Sequence, residues 1–331
     1  MAEAVQPPRT ADEILDWLAE GRVSPAEAFA MFRSLERAPE PAPRLRPRAA
    51  EVDDDEARKA RLRQVMDELD RLTGLASVKE LVREVQAFVE IQQRRSRERL
   101  ATEPLALHMI FKGNPGTGKT TVARIFGRMF EAMQVLPKGH LVECERADLV
   151  GEYIGHTAQK TREQVKKAMG GILFVDEAYS LARGGEKDFG KEAIDTLVKA
   201  MEDHKDQLVL ILAGYRREME YFLQTNPGLR SRFPIHIDFP DYSAEELFEI
   251  GAQMLKAREY RLTSAAKRRL MALLKKRVES EDPNFGNARH VRNVIERAIR
   301  RQAVRLVKQP SVTREDLVLI TEADLEEVSG P

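Results

Sequence analysis

The sequence predicts a doubly wound parallel α/β domain, with a small helical domain after it and a short helical hairpin before it. Three observations carry this expectation. Apolar runs at residues 105–111, 141–144, 172–175, 208–213 and 235–239 are short, aliphatic or β-branched, and separated by helical segments, as strands buried on both faces of a sheet are. Beyond Pro240 and Asp241 the chain changes character and reads as three amphipathic helices, "SAEELFEIGAQMLKAREY", "TSAAKRRLMALLKKRVES" and "ARHVRNVIERAIRRQAVRLV". Before the first strand stand two short helices and a Pro-rich stretch. The expected division is therefore residues 1–36 for the hairpin, 37–70 for a linker and charged helix, 71–242 for the α/β domain and 243–331 for the helical domain.

In chain order, "ADEILDWLAE" forms the first helix and stops at Gly21. "SPAEAFAMFRSLER" forms the second, opened by Ser24 as N-cap, Pro25 at the first helical position and Glu27 completing a capping box. Ile14, Leu15, Trp17, Leu18, Ala28, Phe29 and Phe32 are too few to make a stable core without a partner surface, so the hairpin is expected to dock. "APEPAPRLRPRAA" reads as an extended basic linker, followed by the acidic cluster at 53–56 and a charged helix toward Leu72.

With 331 residues, the chain exceeds the usual span of one hydrophobic core. Its 54 basic residues balance 54 acidic ones, which argues against holding nucleic acid or an anionic membrane by bulk charge and leaves local patches open. No run approaches the roughly 20 apolar residues of a membrane span, and the N-terminus lacks an apolar signal core. Cys144, in "LVECE", is the only cysteine, so no disulfide framework exists; a buried strand thiol in a reducing, cytoplasmic compartment is expected. The six histidines, His156 and His290 among them, show no metal-ligand spacing, and no zinc site is expected.

Chemistry concentrates in two stretches. "HMIFKGNPGTGKTTVARIFGRMF" places Gly113 four residues before Gly118-Lys119-Thr120, after an apolar strand and before a helix carried by Val122, Ile125, Phe126, Met129 and Phe130. That arrangement points helix N-terminal amides at phosphates, and Gly113, Asn114, Pro115, Gly116, Thr117, Gly118 and Thr121 complete the nucleotide-binding loop. Lys119 is expected to reach the β- and γ-phosphates of ATP, and Thr120 to ligate Mg²⁺. "GILFVDEAYS" ends a buried strand in two carboxylates: Asp176 for the metal shell and Glu177 to polarise the attacking water.

A third stretch, "DLVGEYIGHTAQKTRE", holds Tyr153-Ile154 between Gly151 and Gly155. Glycine on both sides frees the backbone for a loop that presents the aromatic ring outward. From these residues alone, the alternative that Tyr153 folds back onto the core stays open.

At these motifs the sequence resembles the AAA+ ATPases, over roughly residues 70–310. More narrowly, "GNPGTGKTTVAR", "ADLVGEYIGHTAQKT", "GILFVDEAYSL", "ILAGY", "NPGLRSRFPIHIDFPDY" and "FGNARHVRN", in that order, look like the family that contains the stage V sporulation protein K and the red-type rubisco activase CbbX. The resemblance implies a homo-oligomeric ring, usually a hexamer, that hydrolyses ATP between subunits and handles a protein client at a central pore. It implies an adenine contact at Leu75 in Thr73-Gly74-Leu75. Arg232 in "LRSRF" takes the arginine-finger position, with Arg230 an alternative, and Arg289 in "GNARHVRN" the sensor-2 position. Tyr153-Ile154 falls on the pore loop. One departure stands out: "LVLILAGY" ends in Gly214-Tyr215 where many members of the superfamily place a sensor-1 asparagine.

The function expected is thus an ATPase that remodels a protein client, resembling the sporulation-type branch because the 70-residue N-terminal extension looks foreign to the rubisco-directed one. A rubisco activase proper is the alternative. A nucleic-acid motor or clamp-loader-like protein is the alternative of another class; it calls for a basic pore loop and a DNA-binding appendage, whereas this chain runs to an acidic "TEADLEEVSG". Neither nucleic acid nor a membrane is an expected partner.

Overall fold

The structure, a computed structural model, describes residues 11–24, 27–28, 48–102, 106–153, 155–183, 188–280, 282 and 285–325. The chain divides into two compact units, Met1–Glu56 and Ala57–Pro331. In the first, α1 (Ala11–Ala19) buries Ile14, and the expected capping box forms: the Ser24 N–H donates to Glu27 Oε2 at 2.8 Å and the Glu27 N–H to Ser24 Oγ at 3.4 Å. The rest of the expected second helix lies outside the described residues.

The second unit takes in α2 (Arg48–Arg71) from Ala57 onward, then α3 (Ala76–Arg97). The extended linker expected to reach residue 50 gives way to helix at Arg48; residues 37–47 lie outside the described ones. The α/β part follows as β1 (Met109–Gly113), α4 (Lys119–Ala132), β2 (Leu141–Cys144), α5 (Arg146–Leu149), α6 (His156–Ala168), β3 (Ile172–Val175) and α7 (Gly190–Asp203). β4 (Val209–Gly214), α8 (Arg216–Thr225), α9 (Pro227–Arg232) and β5 (Ile235–Phe239) complete it. All five strands pair in parallel, in the order β2-β3-β4-β1-β5.

Alternation along the strands builds two cores. Met109, Phe111, Ile172, Phe174, Ile211 and Ala213 face one way, onto Val122, Phe126 and Phe130 of α4. Ile110, Leu173, Val175, Leu210 and Leu212 face the other, onto Val165, Leu197 and Phe222. The central strands β3 and β4 are buried on both faces, so their sequences are uniformly apolar, whereas β1 carries the partly buried Lys112 near its end. The Phe111 ring sits 6.2 Å from Phe126, 6.4 Å from Phe174 and 5.0 Å from Phe239, tying four elements at the sheet centre.

The first strand starts at Met109 rather than 105. Just before it, the buried His108 uses its ring instead of its backbone, Nδ1 accepting the Leu210 N–H at 3.0 Å, and burial lowers that imidazole to about 4. Cys144 is buried at the end of β2, its thiol pushed up to about 12, chiefly by burial.

The C-terminal part contains α10 (Ala244–Lys256), α11 (Ser264–Glu279), α12 (Asn287–Val307) and α13 (Arg314–Val318). It is not wholly helical, because β6 (Arg261–Leu262) and β7 (Leu319–Ile320) form a two-residue parallel pair. Buried Gln302 supports that turn by donating from Nε2 to the carbonyls of Asp316, Leu317 and Leu319. No helix among the described residues is long and apolar enough to cross a membrane.

Candidate functional site

Parallel pairing brings three loops to one edge. Val175 pairs with Leu212 and Gly214 with Lys112, so Gly113, Asp176 and Tyr215 emerge side by side from β1, β3 and β4. This is the carboxyl edge of the sheet, where open α/β folds leave a crevice. A cavity of about 460 Å³ opens there, within the range of small-molecule sites.

Its floor is the loop 113–118. Gly116 and Gly118 adopt φ of 71° and 98°, conformations that cost an L side chain strain. Lys119 opens α4 and folds back, Nζ donating to the carbonyls of Gly113 at 2.8 Å and Asn114 at 2.9 Å. Burial lowers its pKa, Asp176 opposes that, and Arg289 adds to it. Thr117 is fully buried and braces the loop, Oγ1 donating to Asn114 O at 2.8 Å while its own carbonyl accepts the Tyr242 hydroxyl at 3.1 Å. Asn114 turns to Asp241 instead of the cavity.

Asp176 and Glu177 form one wall. Glu177 takes a left-handed φ of 47° and its N–H donates to Asp176 Oδ1 at 3.0 Å, so the two carboxylates project from a tight turn beside Thr120 and Thr121. Beneath them Tyr179 is buried, its hydroxyl pKa raised by burial and then by the Glu177 charge. The Tyr179 ring packs so closely on β4 that a Cβ at Gly214 would lie 2.7 Å from it. Only glycine fits, which accounts for the Gly214-Tyr215 ending, and Tyr215 reaches the cavity instead of an asparagine.

The opposite end is apolar, with Leu72, Leu75, Ile250 and Met254 beside Tyr242. Leu75 is left-handed at φ 57°, and Gln253 Nε2 donates to Thr73 Oγ1 at 3.1 Å, fastening this loop to α10. The roof is α12, which contributes Arg289 and, one turn on, Arg292; the Ala288 N–H donates to Gly116 O at 3.3 Å. An apolar end, a backbone loop with a lysine, two acids and two arginines can hold a nucleoside with a phosphate chain and direct a water at it.

Thr120 and Asp176 offer one hydroxyl and one carboxylate. No cluster of three or more His, Cys, Asp or Glu among the described residues could hold a metal by itself. Hard oxygen donors in so small a number suit Mg²⁺ completed by phosphate oxygens and water.

Two groups lie outside the cavity. Arg232, half-buried at the end of α9, ion-pairs with Glu202 of α7 at 2.8 Å and donates to Gly228 O at 2.9 Å; Arg230 is exposed. Tyr153 is 66% exposed, its ring edge-on to His156 at 5.5 Å, and Ile154 falls outside the described residues. The glycines flanking this pair differ. Gly155 is left-handed at φ 83° with open space around it, whereas Gly151 is buried, its N–H bonded to Thr157 Oγ1 and a Cβ there only 2.5 Å from His156. Gly151 therefore serves close packing, not the freedom expected of it.

Asp241, Tyr242, Gln253, Asn287 and Arg292 were not singled out in the sequence. The signals available were the polar "PDY" ending the last strand and the second arginine three residues after Arg289.

The profile of the ATPase family associated with various cellular activities (AAA) matches residues 109–241, and that of the AAA lid domain residues 243–330. The chain is similar to stage V sporulation protein K of Bacillus subtilis, 55% identical over 85% of this chain and 88% of that protein. It is similar to protein CbbX of Cereibacter sphaeroides, 49% identical over 79% and 85%. The chloroplastic ribulose bisphosphate carboxylase/oxygenase activase of Cyanidioschyzon merolae is 45% identical over 82% and 93%. Among solved structures, the FIGL-1 AAA domain in complex with ADP shares the fold, with a TM-score of 0.52 at 17% identity over 77% of this chain and 80% of that one.

Proposed function

From this chain's membership of the AAA ATPases, alongside stage V sporulation protein K and CbbX, we propose an ATP-driven ring protein that remodels a protein client at its pore. It is an ATPase of a family that is generally oligomeric; the hexamer and the client are our reading. The carrying observation is a separation. Lys119, Asp176, Glu177 and Arg289 converge on one cavity, while the exposed Tyr153 and the half-buried Arg232 stand outside it, where another chain can meet them.

In this reading, the apolar end beside Leu75 takes adenine. The amides of loop 113–118 and Lys119 take the phosphates, and Thr120 and Asp176 take Mg²⁺, whose charge neutralises the β- and γ-oxygens. Glu177 orients and polarises the water. Arg232 completes a neighbour's site, presented by Glu202, and Arg289 links the γ-phosphate to the lid. Tyr153 grips the client through its ring, with Ile154 beside it, in the cytoplasm. The domain boundaries at 71–242 and 243–331 are supported by family profiles that meet at 241 and 243. The higher identity to the sporulation protein favours a sporulation-type client over rubisco.

The test is Glu177→Gln, which keeps shape and loses the base. ATP should bind and turnover should fall on the order of a hundredfold or more. The same variant should retain a protein client in a pull-down; wild-type turnover would overturn the assignment.

A further inference from the structure

A group of polar side chains behind the phosphate loop has no part in that mechanism. Asn287, the first residue of α12, is fully buried and holds a left-handed φ of 45°, a conformation that asparagine tolerates better than most residues. Every polar atom of its amide is engaged. Nδ2 donates to Asp241 Oδ1 at 2.7 Å, to Phe285 O at 3.0 Å and to Pro115 O at 3.4 Å, and Oδ1 accepts the Tyr242 N–H at 2.9 Å. The same Asp241 carboxylate accepts from Asn114 Nδ2, at 3.1 Å on Oδ1 and 2.9 Å on Oδ2.

One carboxylate in the connection between β5 and α10 thus joins an amide of the phosphate loop to an amide of the lid helix. Backbone contact reinforces the join, since a Cβ on Gly116 would lie 2.4 Å from Gly286 O. Arg289 follows two residues after Asn287, about 3 Å further along α12, so the angle at which Asn287 is held sets where that guanidinium stands over the cavity.

We propose that Asp241 and Asn287 are positioning residues for ATP hydrolysis, forming a clasp that couples the angle of α12 to the shape of the phosphate loop through Asn114. The proposal rests on the nucleotide-site reading above. A phosphate chain seated on the loop brings negative charge within reach of Asp241, which already acts on the Lys119 ammonium across the same loop. Nucleotide and clasp are therefore linked, and a change in one biases the other.

The test is a double-mutant cycle on the full chain. Asn287→Asp tolerates the same backbone conformation and still accepts the Tyr242 N–H, but sets carboxylate against carboxylate. Turnover should fall roughly tenfold or more, the scale of a lost charge-assisted hydrogen bond, and ADP should no longer alter hydrogen exchange in α12. Adding Asp241→Asn restores an amide–carboxylate pair with its polarity reversed, so both readouts should recover well beyond the additive expectation. Asn114→Ala, at a half-buried position, should reproduce a several-fold loss of turnover with little change in melting temperature. Additive behaviour in the cycle, or turnover that only tracks melting temperature across the variants, overturns the clasp. Lys119→Ala is run alongside: undiminished ADP binding there would indict the nucleotide-site reading, not the clasp.

Discussion

Adding one methyl group at Gly116 tests the contact between the phosphate loop and the lid. At φ 71°, an L residue costs about 1–2 kcal/mol of left-handed strain. The new Cβ would also lie 2.4 Å from Gly286 O, 2.7 Å from Arg289 N and 3.2 Å from Ala288 N, all of them backbone atoms without a rotamer to change. Forced overpacking of this kind costs about 1–3 kcal/mol more. The sum is about 2–5 kcal/mol, and the cheapest relief is to move the start of α12 away, breaking the 3.3 Å bond from the Ala288 N–H to Gly116 O. Arg289 moves with it. The left-handed strain is carried in the free and bound states alike, so if the lid shift absorbs the clash, Gly116→Ala should weaken ADP binding by roughly fivefold or more, since each 1.4 kcal/mol is a factor of ten. Fluorescent-ADP titration reads the affinity and a coupled assay the turnover. Gly21→Ala is the comparator: φ is 70° there with nothing within 4 Å, so it carries the left-handed strain alone and should leave turnover untouched. Gly116→Ala with wild-type affinity and rate would refute the reasoning.

Three further outcomes are expected. Tyr153→Ala should change stability by no more than about 0.5 kcal/mol, as an exposed position does, keep ADP binding and abolish client-stimulated ATPase, with Tyr153→Phe restoring it; a lowered melting temperature with reduced basal turnover would return Tyr153 to the core. Arg232→Ala subunits mixed with wild type should lower activity out of proportion to their fraction, and a linear decline would mean that each subunit works alone. In the lid, burial works to raise the Asp324 pKa, but two 3.0 Å bonds from Arg305 and two from Thr321 outweigh it and leave the carboxyl below its ordinary value. A depressed carboxylate stabilises the fold above its unfolded pKa and loses that contribution as pH falls through the folded one. Asp324→Asn should therefore cost about 3 kcal/mol at pH 7 and flatten the acid limb of a melting curve below about pH 4, with an unchanged acid limb counting against the pair.

The strands were legible because β3 and β4 are buried on both faces, which forces short, uniformly apolar runs, and the phosphate loop because its glycines and lysine answer to fixed local geometry. The placement of Asp176 and Glu177 at the cavity could be read because they end a strand whose neighbours a parallel sheet determines. The start of β1 was misplaced by four residues because Leu107 and His108 are as buried as strand residues, while His108 meets its neighbour through a ring nitrogen. Gly151 looked like Gly155 in sequence, and only packing separates a glycine that a neighbour has crowded from one with space around it.

Fold class, ATPase chemistry and the loop that lines the cavity beside Lys119 were thus determined by the sequence itself, through periodicity and short motifs whose physics is local. The tertiary structure alone decided which residues share a site across long separations. It joined Asn114 to Asp241 and Asn287, turned Arg292 onto the cavity, set Gln253 against Thr73 and held Arg232 on Glu202. Hydrogen bonds between residues 30 to 180 positions apart leave no periodicity in the chain, because the partners meet only after the sheet and lid have formed.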